Sequence, residues 1–412
     1  MKKVLVIGCT GIAKLIIPAL CKDKSYVSEI CIADTDKKMC DEFKTILSAS
    51  PVRVVTAGVD ITNEERTMLM VKIFGPELII NLMPAQYSCV LMELALKTKA
   101  SYIDSTLFFE TKNASSVEDM LLSKQFSYFT RFRGEKLPAL VGCSFNPAAI
   151  TSLIRFAMSN TYDSISSVDI FDMNSGKGTA AGIMDSSFEM ELLTEPAKYL
   201  ENGKIETYQP LKGKTVRQIP GFGKRTMYVL SNPIITDFIK EIPEVENVRW
   251  FSTFKKEYLG IIKVLEKVGM LSRTPVDVGG VKISPFDYLN KVMPKEESKA
   301  TGKGSSGIGI VITGIIKGKE QTNMFYASVD NSMVLEKYGF GSTEYLDAVT
   351  MLAGTILMCT DKWDKAGVYS PNAYDPSLLM DMRKDQGIEF AVSKVAPVSM
   401  VVEEEEPEDI ED

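Results

Sequence analysis

Histidine is absent from all 412 residues, so proton chemistry in this chain falls to Asp, Glu, Lys, Tyr or Cys. Mechanisms built on an imidazole are excluded, from Ser-His-Asp hydrolysis to His-rich zinc sites. Two residues stand where such chemistry is useful. Asp104 ends the apolar segment ASYIDST and Cys143 follows the apolar segment KLPALV. Each reads as the carboxyl end of a buried strand, the edge of an α/β sheet at which ligands bind. A carboxyl buried there has a raised pKa and serves as acid or base, so Asp104 and Cys143 are the catalytic candidates. The alternatives are a capping carboxylate at Asp104 and a small packing residue at Cys143. Tyr102 falls on Asp104's side of the strand by period two.

A second constellation binds rather than reacts. The apolar run VLVI leads into Gly8-Cys9-Thr10-Gly11-Ile12-Ala13 and then a helical pattern, the context of a dinucleotide fingerprint. Gly8 and Ala13 fit the fingerprint's first and last small positions. Thr10 stands where a glycine usually lets backbone meet pyrophosphate, and Gly11 beside it takes that function. Amides after Gly11 then face the phosphates; a glycine turn that binds nothing is the alternative. Asp34, at the end of the next strand, is placed to accept from an adenosine ribose, which favours NAD. Lys37 and Lys38 just beyond it suit the extra phosphate of NADP, so either cofactor is expected. Asp60 is an adenine-contact candidate or a helix cap. Asn81, Leu82 and Pro84 close the fourth strand where the nicotinamide half belongs.

These residues need a doubly wound parallel sheet to position them. Six apolar strand-like segments alternate with helical ones of ten to fifteen residues, the pattern of a Rossmann-type α/β domain. From Asn146 the rhythm changes to longer segments separated by Gly, Asn and Pro, an α+β domain with a mixed or antiparallel sheet. The expected division is 1–146, completed by helices at about 343–395, then 147–342, then an acidic disordered tail at 396–412. In the second domain SISSVDIFDMNS, KTVRQIPGFG, NVRWFSTFKKEY, PVDVGGVKI, GIGIVITGIIKGK and QTNMFYASVD read as strands. Lys224 and Arg225, after the G-F-G turn, are the substrate-carboxylate candidates on a mobile loop. KATGKGSSG (299–307) is the most linker-like stretch.

The order of the G-x-x-G-x-x turn, N-L-x-P (Asn81–Pro84), Y-I-D-S-T (Tyr102–Thr106), G-C-S-F-N-P (Gly142–Pro147) and G-V-Y-S-P-x-x-x-D-P (Gly367–Pro376) resembles the saccharopine dehydrogenase family. The resemblance runs from Lys2 to about Phe390. It implies an NAD- or NADP-dependent oxidoreductase of amino-acid metabolism acting on a CH–NH or CH–NH2 group of an amino-acid-like substrate, through an imine. Lysine 6-dehydrogenase and carboxynorspermidine dehydrogenase are family alternatives. Where that family has G-C-x-F-D-P-G, this chain has Asn146 for the aspartate and Ala148 for the last glycine. With Thr10, these departures motivate a reading of another class, a nucleotide-binding interaction or redox-sensing subunit without catalysis.

Composition sets the remaining bounds. The net charge of −7 resides in Glu403–Asp412, whose eight carboxylates leave the rest of the chain at +1. A nearly neutral body gives no basic surface for nucleic acid. Seven cysteines without C-x-x-C spacing fit a reducing compartment, and no apolar run is long enough to span a bilayer. A cytoplasmic homodimer with a small-molecule substrate and no metal is the expectation.

Overall fold

In the computed structural model the described residues are 1–107, 123–174, 193–194, 196–232, 234–254, 256–292 and 304–402. The chain packs as two units, Met1–Thr161 with Glu344–Glu389, and Tyr162–Thr343 with Phe390 onward. The first boundary lies beyond the expected residue 146 because helix Ile150–Asn160 packs against helix Pro376–Asp385, both in the first unit. The second also moves: Ala391–Lys394 pairs with Lys319–Asp330, and Val401–Val402 pairs with Gly213–Lys214. Residues 396–402, expected in a disordered tail, thus run along the second unit's sheet, where Val398 and Met400 pack on its core. The acidic run 403–412 and most of the linker-like stretch lie outside the described residues.

The first unit is a parallel sheet of β1 (Lys2–Ile7), β2 (Val27–Asp34), β3 (Arg53–Gly58), β4 (Leu78–Asn81), β5 (Ser101–Asp104), β6 (Pro138–Leu140) and the strand Gly367–Tyr369. Their order across the sheet is Gly367–Tyr369, β6, β5, β4, β1, β2, β3, which reverses direction between β1 and β4. The last strand was not expected; its three residues, GVY, are too few to show a period. Strand β1 is apolar throughout Val4–Ile7 because both faces are covered, and all four side chains are fully buried. On one face Leu5, Ile7, Ile79 and Tyr102 pack against Leu91, Met92 and Ala95 of the helix Ser88–Thr98. On the other lies the helix Ser342–Cys359, whose Gly354 sits so near Cys143, Leu140 and Ile103 that any side chain there would collide.

The second unit is a mixed sheet in the order Ala391–Lys394, Lys319–Asp330, Ser305–Ile316, Ser164–Asn174, Asn247–Thr253, Gly223–Leu230, Gly213–Ile219, Val401–Val402. Asn247–Thr253 runs parallel to Ser164–Asn174, and the other neighbours are antiparallel. Phe171, Met173, Met227, Val229, Phe251, Val311 and Met324 build a core on one face, covered by Tyr199 and Tyr208 of the hairpin Ala197–Tyr208. Two expected strands change. NVRWFST is a strand, but the charged continuation KEY begins the helix Lys256–Lys267. PVDVGGVKI folds back on itself, since Gly279 and Gly280 both take positive φ and turn Val276–Val278 onto Val281–Ile283.

Candidate active site

The turn after β1 is shaped by where side chains are forbidden. Gly8 has φ +111°, and a Cβ on it would lie 3.0 Å from the backbone carbon and oxygen of Leu82, so only glycine lets β1 and β4 approach there. Gly11, at φ +52°, turns the chain into the helix Ala13–Leu20 with open space beside it. Ala13, Lys14 and Leu15 donate to Thr10, Gly11 and Ile12 carbonyls. The amides of Thr10, Gly11 and Ile12 donate to no acceptor among the described residues. Together with the helix's N-terminal end they form a concave set of donors that fits a pyrophosphate. When a nicotinamide dinucleotide binds, it supplies hydride chemistry; Gly8, Thr10, Gly11, Ile12 and Ala13 are the residues that would hold its phosphates.

Asp34 is integral to this turn. Its Oδ2 accepts the Cys9 amide at 2.8 Å, and its Oδ1 accepts the Thr35 hydroxyl and the Asp36 amide, each at 3.1 Å. The carboxylate at the end of β2 therefore fixes the first peptide of the phosphate turn. Cys9 Sγ sits 3.1 Å from Cys40 Sγ, both buried free thiols, so the turn is also seated on the helix Lys37–Ile46. Lys37 pairs with Asp41 at 2.9 Å. Asp60 stands apart. It is exposed and accepts the Thr62 amide at 3.0 Å and the Thr62 hydroxyl at 2.6 Å, an Asx turn ahead of the helix Glu64–Phe74, which Asn63 caps.

Asp104, Tyr102 and Asn81 form one buried network at the ends of β4 and β5. Asn81 Nδ2 donates to Tyr102 Oη at 2.8 Å, and Tyr102 Oη donates to Asp104 Oδ2 at 2.7 Å. Gln125 Nε2 adds a 2.6 Å bond to Oδ2, and the Gly142 amide donates to Oδ1 at 2.9 Å. Burial pushes the Asp104 carboxyl up to about 6, although each of these bonds favours the ionised form. Asn81 Oδ1 accepts the Met83 amide, which shapes the Leu82–Pro84 segment.

Asp104 lies where it was expected, buried at the end of β5 with its pKa raised, whereas the expected placement of Cys143 is corrected. Asp104 is wholly buried, with both oxygens occupied by protein donors, and its geometry is that of a positioning residue. Cys143 does not face a crevice: its thiol donates toward the Thr350 carbonyl at 3.5 Å under the helix Ser342–Cys359, and burial pushes its pKa up. Lys224 and Arg225 are not on a loop either. They lie within the strand Gly223–Leu230, where successive side chains point to opposite faces. A single carboxylate is thus not gripped by both.

Sequence reading missed Gln125, which no motif marks, and Asp172 on the strand Ser164–Asn174. The signal for the latter was present in VDIFD: two carboxylates three apart in an apolar strand fall on opposite faces. Asp169 is buried and paired with Arg249 at 2.6 Å. For Asp172 there is no such partner among the described residues.

A doubly wound sheet with a glycine turn, a helix N-terminus and a carboxylate at the end of β2 defines a dinucleotide-binding oxidoreductase. Residues 4–128 match the saccharopine dehydrogenase NADP binding domain, and residues 188–388 match the saccharopine dehydrogenase C-terminal domain. The chain belongs to the saccharopine dehydrogenase family and is an NAD(P)-dependent oxidoreductase of it. It is 27% identical to carboxyaminopropylagmatine dehydrogenase of Synechocystis sp., over 94% of this chain and 96% of that one. It is 21% identical to carboxynorspermidine synthase of Vibrio alginolyticus, over 97% and 99% of the two chains. Apo saccharopine dehydrogenase (L-Glu forming) from Saccharomyces cerevisiae shares the fold with a TM-score of 0.70 at 14% identity, covering 96% of this chain and 100% of that one. Among the described residues no helix is long and apolar enough to cross a membrane, and no group of residues is arranged to hold a metal.

Proposed function

We propose that this chain interconverts an imine and a secondary amine on a carboxylated polyamine, acting on the CH–NH bond formed between an amine and an amino-acid-derived aldehyde. The observation that carries the reading is the likeness, along 94% of the chain, to a dehydrogenase whose name specifies a carboxyaminopropyl group on agmatine. In the reductive direction, a reduced dinucleotide held at the Gly8–Ala13 turn would supply the hydride that the imine carbon needs. The nitrogen lone pair is restored as the C=N double bond becomes single. If the nitrogen is protonated beforehand, the step needs no proton from the protein. That removes the difficulty of a chain without histidine. The protein's contribution is then to hold the cofactor at the Gly8–Ala13 turn and to keep Leu82–Pro84 in place through the Asn81–Tyr102–Asp104 network, shielding the reacting carbon from water.

The test is to mix the full chain with NADH or NADPH, a short amino-acid semialdehyde and a panel of amines, and to follow nicotinamide absorbance. Agmatine, 1,3-diaminopropane and lysine form the panel, with saccharopine and lysine assayed separately in the oxidative direction. Oxidation of the reduced cofactor that depends on both aldehyde and diamine is expected. Oxidation of neither cofactor with any amine overturns the reading, and turnover of lysine or saccharopine alone reassigns the substrate.

A further inference from the structure

Cys9 carries the first side chain of the phosphate turn, and that side chain points inward, into contact with a second cysteine. Its Sγ lies 3.1 Å from Cys40 Sγ, and the two residues are 1% and 0% exposed. Both are free thiols. One carboxylate fixes both ends of the contact. Asp34 Oδ2 holds the Cys9 amide, and Oδ1 holds the amide of Asp36, the cap of the helix Lys37–Ile46. Cys40 stands on the first turn of that helix, its Sγ 3.7 Å from the Asp36 carbonyl. Packing alone does not call for sulfur at both positions, since two small apolar side chains would fill the same space. Two sulfurs in contact add a chemistry that such a pair lacks, oxidation to a single disulfide.

The residues that follow Cys9, Thr10 and Gly11, are exposed, so the contact lies one residue from solvent. Its two sulfurs are not equivalent. Donating to Cys40 keeps the Cys9 thiol protonated, and burial pushes its pKa up further. Accepting that proton lowers the pKa of Cys40, against the opposing effects of burial and of the carboxylates of Asp34, Asp41 and Asp36. Cys40 is therefore the sulfur that attacks and Cys9 the one that resolves.

We propose that Cys9 and Cys40 form a reversible dithiol–disulfide couple that controls dinucleotide binding at the Gly8–Ala13 turn, with a peroxide as oxidant. Cys40 Sγ attacks one peroxide oxygen: an S–O bond forms, the O–O bond breaks, and the other oxygen leaves as water with the Cys40 proton. Cys9 Sγ then attacks the Cys40 sulfur: the S–S bond forms, the S–O bond breaks, and the second oxygen leaves as water with the Cys9 proton. The two sulfurs together lose two electrons and the peroxide gains them. A dithiol reductant reverses the change by thiol–disulfide exchange. Bonded sulfurs lie about 2.05 Å apart, so closing the 3.1 Å contact draws Cys9 roughly 1 Å toward the helix. The Thr10 and Gly11 amides, which the turn presents to phosphate, follow Cys9 directly and move with it. The disulfide form therefore binds the dinucleotide more weakly, and by linkage a bound dinucleotide protects the dithiol. This control acts on the cofactor and is independent of which amine the chain handles.

The test treats the full chain with one equivalent of hydrogen peroxide and titrates NADH and NADPH by fluorescence before and after, with peptide mass mapping of the cysteines. A Cys9–Cys40 disulfide is expected together with a loss of affinity of about tenfold, the equivalent of one hydrogen bond to a charged group. Dithiothreitol should restore the affinity. In a glutathione buffer of fixed composition, saturating dinucleotide should raise the ratio of dithiol to disulfide by the same factor. A Cys89→Ser variant, which removes the partly exposed thiol, is expected to keep the response, and Cys40→Ser to lose it. No Cys9–Cys40 disulfide in the map, or a disulfide that leaves the affinity for both dinucleotides unchanged, overturns the proposal. So does an oxidant-induced loss of affinity that persists in Cys40→Ser, because another sulfur then carries it.

Discussion

At Asp34 one carboxylate links the end of β2 to the phosphate turn, through the Cys9 amide. Removing it leaves that amide without its acceptor, and a hydrogen bond to a charged group is worth about 1.5–3 kcal/mol. Asp34→Ala is therefore expected to weaken NADH and NADPH alike by about tenfold or more, measured by fluorescence titration. Asp34→Asn, which keeps an oxygen for the amide, should recover much of the loss; equal affinities in all three proteins would show that the turn does not depend on this bond. Asp104 makes the contrasting case. Its folded pKa, about 6, lies above the ordinary carboxylate value of 3.8, so between those values the native state holds a proton that the unfolded chain has released. Its contribution to stability is fully present below about pH 4 and declines as pH rises to about 6. Asp104→Asn is expected to lessen the fall in stability across that window, read from urea midpoints at successive pH values. An unchanged slope would mean that the carboxyl ionises normally. The chain signalled both residues by position, at the ends of apolar strands. Their partners, Gln125 and the Gly142 amide, depend on the tertiary path of the chain and have no local signature.

Elements show the same division. The alternation of apolar strands and helices made the first unit's sheet legible through β6, because a parallel strand covered on both faces is apolar at every position. The seventh strand, Gly367–Tyr369, escaped because pairing with β6 confers its structure. In the second unit the hairpin Ala197–Tyr208 turns at Asn202-Gly203, a strong local signal that the long apolar strands around it overshadowed. The helix Ser342–Cys359 falls in the stretch of about 343–395 whose helices were expected to complete the first domain. Its close approach to the sheet is testable at Gly354. A Cβ there would lie 2.3 Å from Cys143 Sγ, so Gly354→Ala overpacks the layer between helix and sheet. Overpacking of this kind costs about 1–3 kcal/mol, against a gain of up to about 1 kcal/mol from alanine's helix propensity. A net loss in urea-denaturation stability is expected, and the pair Gly354→Ala with Cys143→Ala should recover it, since the thiol that blocks the new methyl is gone. If the double variant is as unstable as the sum of its parts, the contact is not what limits the approach.

For the whole molecule, each of the two units carries its own sheet and core, and each holds one of the chain's two tryptophans. Trp363, almost fully buried and stacked on Tyr374 at 4.9 Å, belongs to the first unit; Trp250, bonded to Ser252, belongs to the second. This distribution allows the cofactor's location to be measured without a substrate. With the dinucleotide turn in the first unit, a bound cofactor stabilises that unit's native state by mass action, by about 2.7 kcal/mol at one hundred times its Kd. A Trp250→Phe variant leaves Trp363 as the sole indole, and a Trp363→Phe variant leaves Trp250. Urea unfolding followed by indole fluorescence, with and without saturating oxidised cofactor, is expected to move the Trp363 transition upward. The shift at Trp250 measures how far the second unit shares that stabilisation. A Trp363 transition that stays in place, under conditions where calorimetry records cofactor binding, would place the dinucleotide outside the Gly8–Ala13 turn.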